Sequence, residues 1–217
     1  MTTGTWTRRI GMTAVATAAA TALAAPVSAQ AAPRHPPAAA VATAAVTATA
    51  TTAKVDYATW QRDCQAVMDQ ALPYLRQRVA NGTPGEKQAV VLDVDNTALE
   101  TDFGFSWPQP ANKPVLAVAR YAQEHGVVLF FVTARPGIIK APTEYNLEHG
   151  GYDVAGLYVR GLLDLFEDVA DYKTAQRAAI ESRGYTIIAN IGNSPTDLTG
   201  GHAEKTFKLP DYDGQLS

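Results

Sequence analysis

Cysteine is nearly absent from this chain: Cys64 is the single one in 217 residues. One thiol cannot close an intramolecular disulfide, and it cannot anchor a Cys/His zinc cage. The four histidines, His35, His125, His149 and His202, are scattered without ligand spacing and read as surface or loop residues. Basic residues are in deficit, with 18 Lys and Arg against 21 Asp and Glu. The formal charge of −3 becomes −5 once Arg8 and Arg9, the charged residues of positions 1–31, are set aside. No basic run is present. A phosphate backbone is held by clustered Lys and Arg, so binding of nucleic-acid polymers is not expected. Apolar residues make up 47% of the chain, enough to bury a sizeable core.

What is present falls into three stretches. Residues 1–31 read as a cleavable signal peptide: Arg8 and Arg9, an Ala-rich apolar run from Ile10 to Val27, and small-residue cleavage sites at Val27-Ser28-Ala29 and Ala29-Gln30-Ala31. The run is short for a membrane anchor, so no permanent span is expected. Thr7-Arg8-Arg9 matches the twin-arginine export signal only in part, because Ile10 and Gly11 follow the pair, and the general secretory route is expected. Residues 32–54 are low in complexity, Pro first and then Ala, Thr and Val, and read as a disordered linker. Residues 55–217 form the expected folded domain.

That domain opens with helical spacing at Tyr57, Trp60, Cys64, Val67, Met68, Tyr74 and Leu75, with Pro73 expected to kink or split the helix. Apolar runs then alternate with helical patterns. Strands are expected at Ala89–Val94, Val127–Val132, Gly156–Val159, Thr186–Ile191 and Thr206–Leu209. Helices are expected at Pro114–Glu124, Pro142–His149 and Tyr172–Arg183. This alternation predicts an α/β fold, a Rossmann-like parallel sheet with helices on both faces. Ligands of such sheets bind beyond the carboxyl ends of the strands.

Three strand ends carry candidate chemistry. The first runs into Asp93-Val94-Asp95-Asn96-Thr97, where alternation leans Asp93 and Asp95 to one side. Paired carboxylates suit a magnesium ion, or a nucleophile beside a general acid; a solvated acidic turn is the bland alternative. A calcium loop of the EF-hand type is excluded, because its sixth and twelfth positions would be Ala98 and Gly104. The second run ends at Thr133-Ala134-Arg135-Pro136, where a hydroxyl and a backbone N–H could hold a phosphate oxygen. Lys173 opens the helix before the fourth strand. The fourth strand ends at Gly192-Asn193-Ser194-Pro195-Thr196-Asp197, whose side-chain oxygens could complete a hard-cation site.

The order of these elements resembles the haloacid dehalogenase (HAD) superfamily: D-x-D-x-T after the first strand, Thr or Ser after the second, Lys before the fourth, a Gly-acid-acid cluster after it. Residues 90–101 (VVLDVDNTALET), 130–136 (FFVTARP) and 172–180 (YKTAQRAAI) are similar to its secreted acid phosphatase branch, class B/C-like subfamily IIIB, which is related to plant acid phosphatases and vegetative storage proteins. The resemblance spans about residue 57 to the C-terminus. It implies an exported, Mg²⁺-dependent acid phosphatase acting on small-molecule phosphomonoesters. Asp93 would be the nucleophile, forming an aspartyl phosphate, and Asp95 the general acid and base. Thr133 and Lys173 would hold phosphoryl oxygens. Asp93, Asp95 through its carbonyl, Asn193 and Asp197 would form the metal shell. Asn193 stands where the family has Asp, which leaves the division of metal binding between Asn193 and Asp197 open. Phosphotransfer through the same intermediate, and a non-catalytic storage or binding protein of the same fold, are the competing readings. Too few residues separate Asp95 from Thr133 for a large cap, so a minimal cap with a loop bearing Phe103, Phe105 and Trp107 is expected. Phe103 and Phe105 are assigned to packing on the N-terminal helix and Trp107 to a substrate contact. Arg135 reads equally as a substrate contact or a surface charge.

Overall fold

The computed structural model describes residues 55–104 and 106–216. The expected signal peptide 1–31, the linker 32–54 (save for its boundary with residue 55) and Phe105 lie outside the described residues.

The domain begins with helix α1, Tyr57–Ala80, entered through Asp56, whose carboxylate accepts a hydrogen bond from the Thr59 N–H at 3.0 Å. Trp60, Cys64, Met68, Ala71 and Leu75 recur at spacings of three and four and are all buried. The helix is one element through Pro73, so of the kink or split expected there the split does not occur. Proline removes one intrahelical bond. Buried residues on both sides of it lie on a single core stripe, and burying a Leu- or Met-sized side chain contributes about 1.5–3 kcal/mol.

Five strands follow: β1 (Lys87–Leu92), β2 (Val128–Pro136), β3 (Val154–Arg160), β4 (Tyr185–Gly192) and β5 (Thr206–Lys208). All pairings are parallel, in the order β3-β2-β1-β4-β5. The connecting helices are α2 (Lys113–Glu124), α3 (Lys140–Gly150), α4 (Val169–Ser182) and the single turn α5 (Pro195–Leu198). The strands are covered on both faces, which is why β1 reads as a continuous apolar run. On one face Val90, Leu92, Leu129 and Phe131 join residues of α1, α2 and α3, among them Leu75, Val118 and Leu147. On the other, Ala89, Val91, Phe130 and Val132 meet Tyr172 and Ile180 of α4.

Two element boundaries matter for the site. Strand β2 runs past Val132 to Pro136, because Pro136 still pairs with Arg160 of β3; Thr133 and Arg135 therefore sit in the strand's last turns of pleat. Helix α4 starts at Val169, capped by Asp168, whose side chain accepts from the N–H groups of Ala170 and Asp171. That puts Lys173 in the second turn. The chain order reverses direction between β1 and β4, so a crevice opens beyond their carboxyl ends. Among the described residues, no helix is long and apolar enough to cross a membrane.

Candidate active site

Asp93 directly follows β1, and its N–H continues the ladder to the Ile191 carbonyl of β4 at 3.0 Å. Its side chain is nearly buried, and Lys173 reaches across from α4 to bond Asp93 Oδ1 at 2.6 Å. The same ammonium bonds Asp197 Oδ1 at 2.5 Å. Asp197 is fixed in turn. It is the fourth member of a capping box with Ser194, taking the Ser194 N–H on Oδ2 at 2.7 Å. A β-carbon at position 192 would collide with the Asp197 side chain, so the strand must end in Gly192. Arg177, itself buried, and Asn190 both donate to the Asp197 backbone carbonyl, at 2.7 and 2.8 Å.

Two buried carboxylates thus share one ammonium, and one negative charge is left over. Burial pushes the Asp93 carboxyl up to about 7; Lys173 opposes this, while the neighbouring Asp197 adds to it. For Lys173, burial works against the charged form, yet Asp93 and Asp197 together hold its pKa above the ordinary value.

Asp95 is turned differently. Its carboxylate is gripped by Arg135 and accepts a hydrogen bond from the Thr101 hydroxyl at 2.9 Å. Arg135 also donates to Thr143 of α3 and to Gln109, at 3.0 and 2.9 Å. Of the two sequence readings of Arg135, surface charge is wrong: its side chain is 11% exposed and ion-paired. Asn96 adopts a left-handed conformation, φ 50°, and is locked by reciprocal hydrogen bonds with Asp102. Sequence reasoning assigned Asn96 and Thr101 nothing; an Asn in a turn after paired acids was the available signal.

Asp93, Asp95, Arg135, Lys173, Asn193 and Asp197 all line one cavity of about 360 Å³. A larger cavity of about 720 Å³ adjoins it, sharing Asp95 and Arg135, with Trp107, Gln109 and Thr143 in its walls. Thr133 lines neither: it is fully buried and its hydroxyl accepts from the Arg135 N–H at 3.2 Å. Trp107 is 60% exposed and stacks on Tyr145, with ring centroids 5.7 Å apart. Phe103 instead stacks on Trp60 of α1 at 4.3 Å, as the packing reading expected.

Among the described residues, no group of three or more His, Cys, Asp or Glu side chains stands together as a metal cage. The donors available are two carboxylates, the Asn193 amide oxygen and backbone carbonyls, all hard oxygens. Such a set suits a cation that retains several waters, and the surplus negative charge favours one. Asn193 is also tied down: Thr97 donates to its Oδ1 at 3.3 Å and its Nδ2 donates to the Leu216 carbonyl.

A family model described as HAD superfamily, subfamily IIIB (Acid phosphatase), matches residues 12–109 and 106–215. A stem 28 kDa glycoprotein of Glycine max is 28% identical over 74% of this chain and 71% of its own. Acid phosphatase 1 of Solanum lycopersicum is 26% identical over 70% of this chain and 67% of its own. In structure, the class C acid phosphatase of Bacillus anthracis superposes with a TM-score of 0.57 at 17% identity, covering 72% of this chain and 80% of that one. That degree of identity speaks for the fold alone, a parallel α/β sheet shared by both.

Proposed function

Since the chain belongs to the HAD superfamily, subfamily IIIB, the acid phosphatases, we propose that it hydrolyses small-molecule phosphate monoesters through an aspartyl phosphate on Asp93. The observation that carries this reading is the Lys173 ammonium held between Asp93 and Asp197 at the mouth of the β1/β4 crevice, with Asp95 on the wall of the same cavity.

Asp93 Oδ attacks phosphorus and the ester oxygen leaves with the bonding pair. The Lys173 ammonium neutralises phosphoryl charge as it builds on the equatorial oxygens, in a pocket where water screens little. Asp95 hands a proton to the departing oxygen and later takes one from the water that attacks the aspartyl phosphate, releasing inorganic phosphate and restoring Asp93. Thr133 contributes from beneath the strand end, by holding the Arg135 backbone through its hydroxyl. Trp107 supplies an apolar face to the leaving group, and the Arg135 guanidinium a positive wall beside it. The donors proposed for magnesium are Asp93, the Asp95 carbonyl, Asn193 and Asp197; when bound, the ion supplies positive charge to the nucleophile and a phosphoryl oxygen.

Export through the general secretory route is part of this proposal, resting on the character of residues 1–31. The competing reading is a non-catalytic protein of the same fold; the soybean relative is named for its tissue and mass and not for a reaction. Purified protein incubated with p-nitrophenyl phosphate and magnesium separates the two. Release of phosphate that is lost on chelation by EDTA and returns with magnesium supports the hydrolase. No release at any pH between about 4 and 8 would overturn it. Adding glycerol as acceptor tests phosphotransfer, which would appear as glycerol phosphate.

A further inference from the structure

The first turns of α1 bond the chain that follows the two aspartates, and the proposed chemistry makes no use of these contacts. Gln61 Nε2 donates to Glu100 Oε1 at 3.2 Å and to Asn112 Oδ1 at 3.1 Å. One side chain thus ties together both ends of the segment that carries Trp107 and Gln109, walls of the larger cavity. The Tyr57 hydroxyl donates to the same Glu100 oxygen at 2.8 Å. Phe103 stacks on Trp60 and meets the Tyr57 ring edge-on, with centroids 5.5 Å apart. Glu100 and Asn112 are both buried, where water offers little replacement for a lost hydrogen bond.

Residues 100–103 divide their side chains between two neighbours. Glu100 and Phe103 contact α1. Thr101 and Asp102, between them, bond the chain around Asp95: the Thr101 hydroxyl donates to Asp95 Oδ1 at 2.9 Å, and Asp102 exchanges hydrogen bonds with Asn96. Backbone bonds from the Leu99 N–H to Val94 and from the Glu100 N–H to Pro110, both 2.9 Å, restrict the stretch further. We propose, on the reading of Asp95 as the proton donor, that Gln61 and Glu100 are positioning residues for it: α1 holds Glu100, and Glu100 fixes the adjoining Thr101 hydroxyl on the Asp95 carboxylate. Arg135 grips that carboxylate from β2. The two anchors come from different elements, so loosening either lets Asp95 turn about the other. A catalytic group misplaced by about 1 Å can cost about 10²-fold in rate.

Glu100→Ala removes the acceptor of both α1 donors, while Glu100→Gln keeps an oxygen for them. The test is kcat/KM on p-nitrophenyl phosphate and on an alkyl phosphate, with each variant alone and in the Asp95→Asn background. Glu100→Ala is expected to lower kcat/KM by about 10–10²-fold on the alkyl ester and by less than about threefold on the aryl one, because only the alkyl leaving group needs a proton from Asp95. Glu100→Gln should return alkyl turnover to within about threefold of wild type. In Asp95→Asn, adding Glu100→Ala should cost almost nothing further on the alkyl ester, since the group it positions is gone. Equal losses on both esters, or a full further loss in the Asp95→Asn background, assign Glu100 to the fold and overturn the proposal. Tyr57→Phe with Gln61→Ala changes only partly exposed side chains and covers the case in which Glu100→Ala does not fold. It should show the same split between esters, and wild-type kinetics in it overturn the proposal too. A split in Asp95→Asn with none in the Glu100 and α1 variants overturns this proposal alone. An equal loss on both esters in Asp95→Asn itself overturns the proton-donor reading, and this proposal with it.

Discussion

Arg135 grips Asp95 with two nitrogens, Nη2 to Oδ1 at 2.7 Å and Nε to Oδ2 at 3.0 Å. The same guanidinium ties Asp95 to Gln109 in the loop and to Thr143 on α3. One planar group thus aims the proposed general acid from three directions. A lysine keeps the charge but cannot reproduce the fork. Arg135→Lys is expected to lower kcat/KM by about 10²-fold, the loss typical of a misplaced catalytic group. Steady-state kinetics on p-nitrophenyl phosphate check this, and a variant within threefold of wild type would mean that the fork is not what positions Asp95.

Asp95 itself has a signature that a structural residue would lack. Asp95→Asn is expected to cost about 10²–10⁴-fold, the usual contribution of proton transfer, in kcat/KM, which reads only the steps up to departure of the leaving group. The loss should be smallest for p-nitrophenyl phosphate, whose leaving group departs without a proton, and largest for an alkyl phosphate. Measuring both substrates decides it: equal losses would assign Asp95 to the fold of the loop and not to proton transfer.

The pKa of Asp93 makes a prediction about stability. Its folded value, about 7, lies above the ordinary 3.8, so the folded state binds this proton more tightly than the unfolded chain does. The stability tied to it is full below about pH 4 and is lost as pH rises from there to about 7. Above that window the buried site carries its surplus negative charge. Asp93→Asn should therefore melt at the same temperature or a few degrees higher than wild type in metal-free buffer at pH 8, while turnover falls by several orders of magnitude. Magnesium should raise the melting temperature of wild type more than that of the variant. A variant less stable than wild type by several degrees at pH 8 would sink the charge argument.

Lys173 tests the same cluster from the other side. Its side chain is 4% exposed and it is the shared partner of Asp93 and Asp197. Lys173→Met leaves two buried carboxylates facing each other without a counter-charge. Breaking a buried pair in this way costs about 3–5 kcal/mol. Chemical denaturation should show that loss in the single variant and recover a good part of it in Lys173→Met with Asp93→Asn. Additive losses in the double variant would mean that the two residues do not interact.

Much of this was legible in the sequence because the fold is periodic and the chemistry sits where the period breaks. The buried runs of β1, β2 and β4 each end beside the crevice, so strand ends pointed to the candidate site. What was not legible depends on contacts between distant residues. Arg135 and Asp95 are 40 positions apart, and nothing local marks them as partners. The continuity of α1 through Pro73 is decided by a core stripe that extends beyond the proline, while propensity sees only the missing N–H. Thr133 looked like a free hydroxyl because the extra residues of β2 arise from pairing with β3, which no local pattern encodes. Trp107 was read alone, though its stacking partner Tyr145 comes from α3.

Asn193 is where sequence and structure pull hardest against each other. By the family's pattern it occupies an acid position of the proposed metal site, and it lines the cavity with Asp93 and Asp197. By contacts it is a tie: Nδ2 donates to the Leu216 carbonyl, and Oδ1 accepts from Thr97 at 3.3 Å. An amide oxygen has two lone pairs, so Oδ1 can accept from Thr97 and still face a cation. Asn193→Asp separates the roles because it changes each in a different direction. A carboxylate cannot donate to Leu216, and it sets two acceptors against each other in a buried place. Leaving such a group unsatisfied costs about 1–3 kcal/mol, so the metal-free variant should melt several degrees lower. If the oxygen also faces magnesium, the added charge should lower the half-activating concentration of the ion, and the stability deficit should shrink when magnesium is present. The same charge repels an incoming phosphate dianion, so KM should rise. A magnesium titration of activity, run beside melting curves with and without the ion, resolves the matter. A lower melting temperature with an unchanged or higher half-activating concentration would make Asn193 purely a tie for the C-terminal segment, with Asp197 serving the metal alone.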